Sequence, residues 1–135
     1  MEGLVRQRVL AEHEETVGSV ITAARTVART LPDPVTDAET VAVPLAALLR
    51  ERELLGEVLA MLDTGADALE TVVAGDPVPA PPYLSVRSVG PVCRATLADG
   101  RRLVIDLRVF AIERRPVRYR FAAPDPAACL RVRLR

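Results

Sequence analysis

Residues 77–82 read PVPAPP, and the periodicity of the sequence changes on either side of this segment. Proline has no amide hydrogen and restricts the residue before it, so an extended, polyproline-like connector is predicted here. Before the connector, apolar residues recur at steps of three and four, as in amphipathic helices; after it they alternate with polar residues, as in half-buried strands. The sequence predicts a single α+β domain over residues 1–135, with a helical half at 1–76 and a β half at 83–135.

The helical half begins with one long predicted helix, over residues 3–31. Its apolar positions alternate in steps of three and four, which places them along one stripe of the helix surface. The stripe consists of Leu10, His13, Val17, Val20, Ala24, Val27 and Leu31. Pro32 and Pro34 are predicted to end the helix, because proline cannot donate the backbone hydrogen bond of a further turn.

A second helix is predicted between these prolines and the segment Gly75-Asp76-Pro77. Thr36 and Glu39 have the spacing of a capping box, and Pro44 offers a competing start, because proline is favoured in the first turn. The apolar seam runs along Leu48, Arg52, Leu55, Leu59, Leu62, Ala66, Leu69 and Val73, widened by Leu45, Leu49 and Val58. Gly65 lies inside this helix, and glycine costs about 1 kcal/mol relative to alanine in a helix. We expect a bend there.

The β half is predicted to form an antiparallel meander of four or five strands. In the clearest strand, Leu103, Ile105, Leu107, Val109 and Ala111 alternate with Arg102, Val104, Asp106, Arg108 and Phe110. Further strands are predicted at 84–89, 92–98, 117–121 and 130–134. Asp99-Gly100 predicts a two-residue hairpin turn in which both positions have positive φ. One sheet face is then apolar and covered by an antiparallel helical hairpin, and the other is rich in arginine.

The predicted dimensions favour a homodimer. Two helices of roughly 30 residues would each be about 45 Å long, whereas five strands span only about 24 Å across the sheet. The overhanging helices would expose their apolar seams, and a twofold dimer is the commonest way to bury such a surface. We therefore expect two copies of the chain to associate through their helices.

The composition indicates a folded chain that functions in the cytoplasm. Half of the residues are hydrophobic and 27% are charged. No apolar run approaches the roughly 18 residues that a membrane span requires. Residues 1–10 contain Glu2, Arg6 and Arg8, so they lack the uninterrupted apolar core of a secretory signal. Cys93 and Cys129 are too few for the disulfide framework of a small secreted protein, and buried thiols are expected.

The charge of the chain is zero in total but strongly separated along the sequence. Residues 1–82 carry 14 acidic side chains and 6 arginines, a net charge of −8, whereas residues 83–135 carry 4 acidic side chains and 12 arginines, a net charge of +8. All 18 basic residues are arginine and asparagine is absent, which is typical of a GC-rich genome. Arginine abundance alone is therefore weak evidence of function.

The candidate contact residues for an anion or nucleic acid are Arg108, Arg118, Arg120, Arg131 and Arg133, which alternate with apolar residues. If the strands align, these arginines share one sheet face that would attract phosphates. RNA-binding sheets usually add exposed aromatic rings, whereas Tyr119 and Phe121 take the inward register here. Two other interpretations stay open: the arginines are solvated or neutralised by the acidic half, within or between subunits, or they contact a protein partner.

No catalytic motif, cofactor site or metal site is predicted. His13 is the only histidine, and a metal would need further ligands, so a histidine in a helix seam or an interface is favoured. No serine or cysteine motif accompanies it as nucleophile and base, and the seven glycines form no phosphate-binding loop. The 14 acidic residues of the first half fit the solvent faces of helices, although acid–base chemistry by carboxylates stays open.

The β half resembles an uncharacterised family of short haloarchaeal proteins. The resemblance is carried by PPYL at 81–84, GPVCRATLADGRRLV at 90–104 and RPVRY at 115–119. It implies an archaeal lineage and a single domain of unknown function, and it transfers no active site. Salt-adapted cytosolic proteins are usually strongly acidic, whereas this chain is neutral, so an actinobacterial source is the alternative.

Three functional hypotheses follow from the sequence. The first is a non-enzymatic interaction domain that homodimerises through its helices and presents the arginine face to a partner. The second is binding of nucleic acid or another polyanion by that face. The third is a small-ligand pocket between helices and sheet, which would be apolar with a few convergent polar groups.

Overall fold

The computed structural model describes all 135 residues and confirms the α+β architecture. Three helices come first: α1 (Glu2–Ala28), α2 (Ala38–Glu51) and α3 (Leu55–Ala68). The strands are β1 (Leu84–Val86), β2 (Pro91–Thr96), β3 (Arg102–Leu107), β4 (Phe110–Glu113), β5 (Arg118–Phe121) and β6 (Leu130–Leu134), with a short helix α4 (Pro126–Cys129) before β6. None of the helices combines the length and the apolar character needed to cross a bilayer.

Helix α1 has a kink at His13 and buries part of the predicted stripe: Leu10 and His13 are half-buried, and Leu31 lies beyond the end of the helix at Ala28. Its buried residues are Val5, Val9, Val17, Val20, Ile21, Ala23, Ala24 and Val27. His13 has non-helical torsion angles, φ −124° and ψ 18°. Its Nε2 atom lies 2.7 Å from Thr64 Oγ1 on α3, within hydrogen-bond distance. His13 therefore lies in the interface between α1 and α3.

The second predicted helix is in fact two helices, and the second of them ends at Ala68 and not at Gly75, so Val73 of the predicted seam pairs with Leu97 in an isolated β-bridge. Helix α2 begins at Ala38 and is capped by Asp37, not by Thr36 as predicted: the Asp37 carboxylate accepts a hydrogen bond from the Glu39 amide at 3.1 Å. Pro44 lies inside the helix and is not its start. The chain then turns at residues 52–54. The turn exposes Arg52, which one continuous helix would have placed in the apolar seam, and buries Leu54. Burial of an unpaired guanidinium would be costly, which accounts for the break.

The predicted bend at Gly65 does not interrupt α3, which is one continuous helix from Leu55 to Ala68. A Cβ atom at this position would lie 2.8 Å from Leu103 Cδ2 of β3 and 3.1 Å from Val5 Cγ1 of α1. The missing side chain instead allows α1, α3 and β3 to approach one another closely. The glycine is a packing residue at the centre of the fold.

The strands form two sheets, whereas a single meander was expected. The larger sheet has the order β1-β2-β3-β6 and is antiparallel throughout, and β4 and β5 form a separate antiparallel pair. The predicted strand at 102–111 ends at Leu107, because the alternation fails where Val109 and Phe110 are both buried. The amides of Arg108 and Val109 donate to the carbonyls of Cys129 and Val89, and the chain leaves the larger sheet at this point.

The hairpin between β2 and β3 is where the sequence predicts it, but its turn differs. The loop has three residues, 98–100, closed by a hydrogen bond from the Leu97 amide to the Arg101 carbonyl, and within it only Gly100 takes a positive φ (+91°). Asp99 accepts hydrogen bonds from the Arg101 guanidinium at 2.7 Å and from the Arg101 amide at 3.1 Å. These contacts hold the pKa of Asp99 below its ordinary value.

The first turn of α1 lies along the outer edge of β6. Glu2 Oε2 accepts a hydrogen bond from the Leu134 amide at 2.7 Å, and the Arg6 guanidinium donates to the Ala127 carbonyl. The opposite edge of the larger sheet is β1, which has only three residues. The Leu134 amide is therefore covered at one edge of this sheet, and the other edge is short.

The apolar core lies between the helices and one face of the larger sheet. Leu84, Cys93, Ile105 and Val132 are register partners across the four strands and belong to this core. Helix α1 packs on β6, and α3 packs on β2 and β3. Because side chains alternate along a strand, burial of this face directs every second residue to the opposite face, which we call the outer face.

We predict that Gly90→Ala severely destabilises the fold. A Cβ atom at Gly90 would lie 1.8 Å from the Leu107 carbonyl oxygen, and Gly90 also has φ +155°. A backbone atom cannot yield as a flexible side chain can, so we expect a loss of about 3 kcal/mol or more in the free energy of unfolding, measured by urea denaturation. Gly56→Ala is the matched control, since its Cβ meets no atom within 4 Å. A Gly90→Ala variant as stable as this control would contradict the packing.

We predict that the two thiols are unreactive in the folded chain. We also predict that their ionisation on unfolding lowers the free energy of unfolding above about pH 9. Burial raises the pKa of both Cys93 and Cys129 from 9.0 to about 12, with the nearby Asp106 charge as a second cause at Cys93. Below pH 9 the thiols are protonated whether the chain is folded or unfolded. Between pH 9 and 12 only the unfolded chain ionises them, so the free energy of unfolding falls by about 1.4 kcal/mol per pH unit for each thiol.

Urea denaturation from pH 8 to 11 tests this dependence, with a Cys93→Ala/Cys129→Ala variant as the control in which the other titrating groups are unchanged. The wild-type chain should lose stability more steeply than the variant. Equal slopes, or rapid labelling of the native chain by a thiol reagent at pH 8, would contradict the buried environment of these cysteines.

Candidate functional site

Arginines of β2, β3 and β6 gather on the outer face of the larger sheet. Their positions follow from the register, in which Arg94 pairs with Val104 and Val104 with Arg133. In the next row, Thr96 pairs with Arg102, and Arg102 exchanges two backbone hydrogen bonds with Arg135. Neighbouring strands are about 4.8 Å apart and alternate residues of a strand about 7 Å apart, so these guanidinium groups surround Val104.

Two adjoining depressions extend this arginine cluster along the sheet. The first, of about 220 Å³, is lined by Arg87, Arg94, Arg102, Val104, Arg133 and Arg135. The second, of about 480 Å³, shares Arg87 and Arg133 with the first and adds Arg108 and Arg114 beside Asp106 and Val92. We call this surface the basic strip: Arg87, Arg94, Arg102, Arg108, Arg114, Arg133 and Arg135.

Only one arginine of the basic strip is paired with a carboxylate. Arg133 lies 3.5 Å from Asp106, whose side chain is 8% exposed. The other six arginines form no salt bridge, and the Nε atom of Arg94 is buried without a hydrogen-bond partner. Like charges held this close repel one another, so an anion bound over the strip would lower its electrostatic energy.

The acidic half of the chain does not neutralise the strip within the molecule. All 14 acidic residues of the first half are exposed, as expected for the solvent faces of helices. None of the six salt bridges joins one of them to an arginine of the β half. The four acidic residues of the β half are engaged locally: Asp99 with Arg101, Asp106 with Arg133, Glu113 with two arginines, and Asp125 with the Ala128 amide.

The five arginines predicted to share a face lie in two places, which corrects the expectation of a single face. Arg108 and Arg133 belong to the basic strip, and Arg131 lies on the same outer face of β6, one row from Arg133. Arg118 and Arg120 lie on β5 in the separate two-stranded sheet, where their Nε atoms are 3.2 Å and 2.9 Å from the carboxylate oxygens of Glu113.

Five arginines of the basic strip were not predicted from the sequence: Arg87, Arg94, Arg102, Arg114 and Arg135. A usable signal exists for three of them. Arg94 and Arg102 precede the core residues Ala95 and Leu103, and Arg135 continues the alternation of Arg131 and Arg133. Arg87 and Arg114 come from segments next to turns, and only the fold brings them to the strip.

Comparison with known protein families adds one finding to this geometry. Residues 3–135 match the family described as a domain of unknown function, DUF7988. The chain belongs to the DUF7988 family. No curated protein and no solved structure matches it. The predicted membership of a family of unknown function is thus confirmed. The family match covers nearly the whole chain, whereas the resemblance was predicted from residues 81–119 only.

Other candidate sites offer fewer unpaired polar groups for binding or catalysis. No group of three or more histidine, cysteine, aspartate or glutamate side chains is placed to hold a metal ion. An apolar cleft of about 390 Å³ lies beside the end of α1 and the two-stranded sheet, lined by residues such as Leu31, Phe110 and Phe121. Its charged rim includes Glu113, Arg118 and Arg120, which already pair with one another. The basic strip is therefore the site with the most unpaired polar groups.

We predict that Arg94→Met stabilises the fold at low ionic strength. The substitution keeps an unbranched side chain while removing one repelling charge and a buried nitrogen that has no partner. We expect a gain of about 0.5–1 kcal/mol in the free energy of unfolding, which shrinks as salt screens the repulsion. Urea denaturation at two salt concentrations measures it. Arg118→Met, which removes a charge paired with Glu113, should give no gain; equal gains in both variants would contradict the repulsion.

Proposed function

We propose that this chain binds a phosphate-bearing anion on the outer face of its larger sheet and performs no reaction on it. The observation that carries the proposal is the basic strip, in which only one of seven arginines is paired with a carboxylate. A solvent-exposed surface with this excess of positive charge attracts anionic ligands and raises their local concentration by electrostatic steering.

The chemistry of arginine favours phosphate as the ligand group. The guanidinium group is planar and remains charged, and its paired N–H donors match two oxygens of one phosphate. Arg94, Arg102 and Arg135 make no side-chain hydrogen bond within the chain, so their donors are free for a ligand, apart from the buried Nε of Arg94. Val104 between them provides a flat apolar floor and no competing acceptor.

The rigid support of the strip adds to this proposal. Arg94 lies between the core residues Cys93 and Ala95, and Arg102 precedes the core residue Leu103. Each of these core residues is at most 4% exposed. The backbones of three paired strands therefore fix the Cα positions of Arg94, Arg102 and Arg133, so a ligand has to order their side chains but not their backbone. Preorganisation of this kind lowers the entropic cost of binding.

The homodimer through the helices stays a prediction, and the basis for it is narrower than the sequence suggests. The second helix is two helices of 14 residues, so the expected overhang beyond the sheet is shorter. Met1, Leu4 and Val43 are the large apolar side chains exposed on residues 1–51. Binding of a protein partner by the arginine face, and of a small ligand in the apolar cleft, likewise stay predictions.

A cytoplasmic location, a single domain and a haloarchaeal lineage also remain proposals. Two free, buried cysteines suit a reducing compartment, which favours the cytoplasm. One core cluster of 31 residues draws on α1, α2, α3 and both sheets, which supports folding as one domain. The lineage rests only on the sequence resemblance at residues 81–119.

We predict that the chain is retained on immobilised heparin at about 50 mM salt and elutes as salt rises, since salt competes with phosphate or sulphate contacts. Arg94→Gln/Arg102→Gln should weaken binding of a labelled heparin hexasaccharide at least about tenfold and reduce the slope of log K against log salt by about 2. Arg118→Gln/Arg120→Gln removes the same charge from the other sheet and should bind like the wild-type chain.

Circular dichroism of each variant separates a binding defect from unfolding. Failure of the folded wild-type chain to bind heparin at low salt would reject the proposal. Equal losses in the two double variants would also reject it, because a general attraction to net charge would then account for retention.

A further inference from the structure

We infer that the anion recognised by the basic strip is the backbone of a double-stranded nucleic acid, contacted without regard to base sequence. The inference rests on the proposed anion binding and adds the class of ligand. It follows from three features of the strip: its length, its lack of aromatic rings, and its width.

The length of the strip favours an extended ligand. Its two depressions share Arg87 and Arg133 and so form one surface. From Arg102 to Arg108 there are six residue steps along β3 and its continuation, about 20 Å at the rise of an antiparallel strand. A nucleic-acid strand places one phosphate about every 3.4 Å along the helix axis, so it supplies charge over this whole distance. A compact oligophosphate would fill one depression and leave the arginines of the other unpaired.

The surface between the arginines favours a duplex over a single strand. Proteins that bind single strands combine a basic groove with exposed aromatic rings on which the bases stack. The two depressions are lined by no aromatic residue, and their apolar positions are aliphatic, as at Val92 and Val104. Tyr83 precedes β1, but its hydroxyl lies beside Gly75 and it lines neither depression. In a duplex the bases are already stacked on one another, and only phosphates need contacts.

The width of the strip argues against the reading of base edges. The major groove of B-form DNA is about 12 Å wide and admits a helix or a two-stranded ribbon. The arginines of the strip are spread over β2, β3 and β6, whose backbones alone span about 10 Å before side chains are added. Such a surface lies across the phosphates and does not enter the groove. Binding is therefore expected to be independent of sequence and strongly dependent on salt.

Fluorescence anisotropy with labelled 16-base-pair duplexes tests the inference on the full chain. Two DNA duplexes of unrelated sequence, an RNA duplex, and a 16-nucleotide single strand serve as probes, with tripolyphosphate as a competitor. At least one kind of duplex should bind about tenfold more tightly than the single strand, and the two DNA sequences should agree within about twofold. The slope of log K against log salt should be about −5 for six phosphate contacts.

Two double variants distinguish an extended ligand from a compact one. Arg94→Gln/Arg102→Gln alters the first depression and Arg108→Gln/Arg114→Gln alters the second. A ligand that spans the strip should lose affinity about equally in both variants, at least about tenfold in each. Arg118→Gln/Arg120→Gln is the control with the same change of net charge and should leave duplex binding unchanged.

The outcomes separate failure of the inference from failure of the proposed function. Preferential binding of the single strand, displacement of the duplex by equimolar tripolyphosphate, or sensitivity to only one of the two strip variants would overturn the inference, while anion binding itself would stand. Absence of binding to heparin and to every nucleic-acid probe at low salt would overturn both.

Discussion

Burial of one face of the larger sheet against α1 and α3 is the constraint on which the rest of the molecule depends. The contact is tight at Gly65, where a side chain would collide with Leu103 and Val5. Because residues along a strand point alternately to opposite sides, fixing Leu103 and Ile105 in the core also fixes the direction of Arg102 and Val104. The chemistry of the outer face is thus a consequence of how the inner face packs.

The same packing sets the electrostatic balance of the molecule. A surface that holds seven arginines beside one acidic group is unfavourable by itself, and it persists because the core behind it holds the strands in register. In the two-stranded sheet, by contrast, Glu113 pairs with both Arg118 and Arg120. The two sheets therefore use the same residue type differently: the strand β5 pairs both of its arginines with Glu113, whereas the larger sheet pairs only Arg133 of the basic strip.

Most of the architecture could be predicted from sequence, because it depends on local periodicity. The helices of residues 2–68 and the hairpin near Gly100 follow from patterns of three, four or two residues. The connector at 77–82 is non-helical as predicted, but residues 79–83 form turns, with the Tyr83 amide donating to the Ala80 carbonyl, and are not the expected extended chain. The break at residues 52–54 was missed because the heptad-like spacing continues across it, and only the charge of Arg52 marked it. The return of β6 to β3 could not be predicted, since strand order depends on contacts between distant residues. The site could be predicted only in part, because it too depends on strand order. Alternation along the sequence identifies Arg131 and Arg133. Only the strand order shows that Arg118 and Arg120 lie in the other sheet and that Arg87 and Arg114 lie near the strip.

The contact of Glu2 with the Leu134 amide has a consequence for how copies of the chain meet. A strand at the edge of a sheet is a template on which another chain can polymerise, and natural proteins protect such edges with covering segments or by keeping them short. Here the first turn of α1 occupies the β6 side, and the three residues of β1 offer little on the other. Both features oppose the addition of a strand from a second copy: Glu2 occupies the Leu134 amide at one edge, and the other edge offers only three residues to pair with.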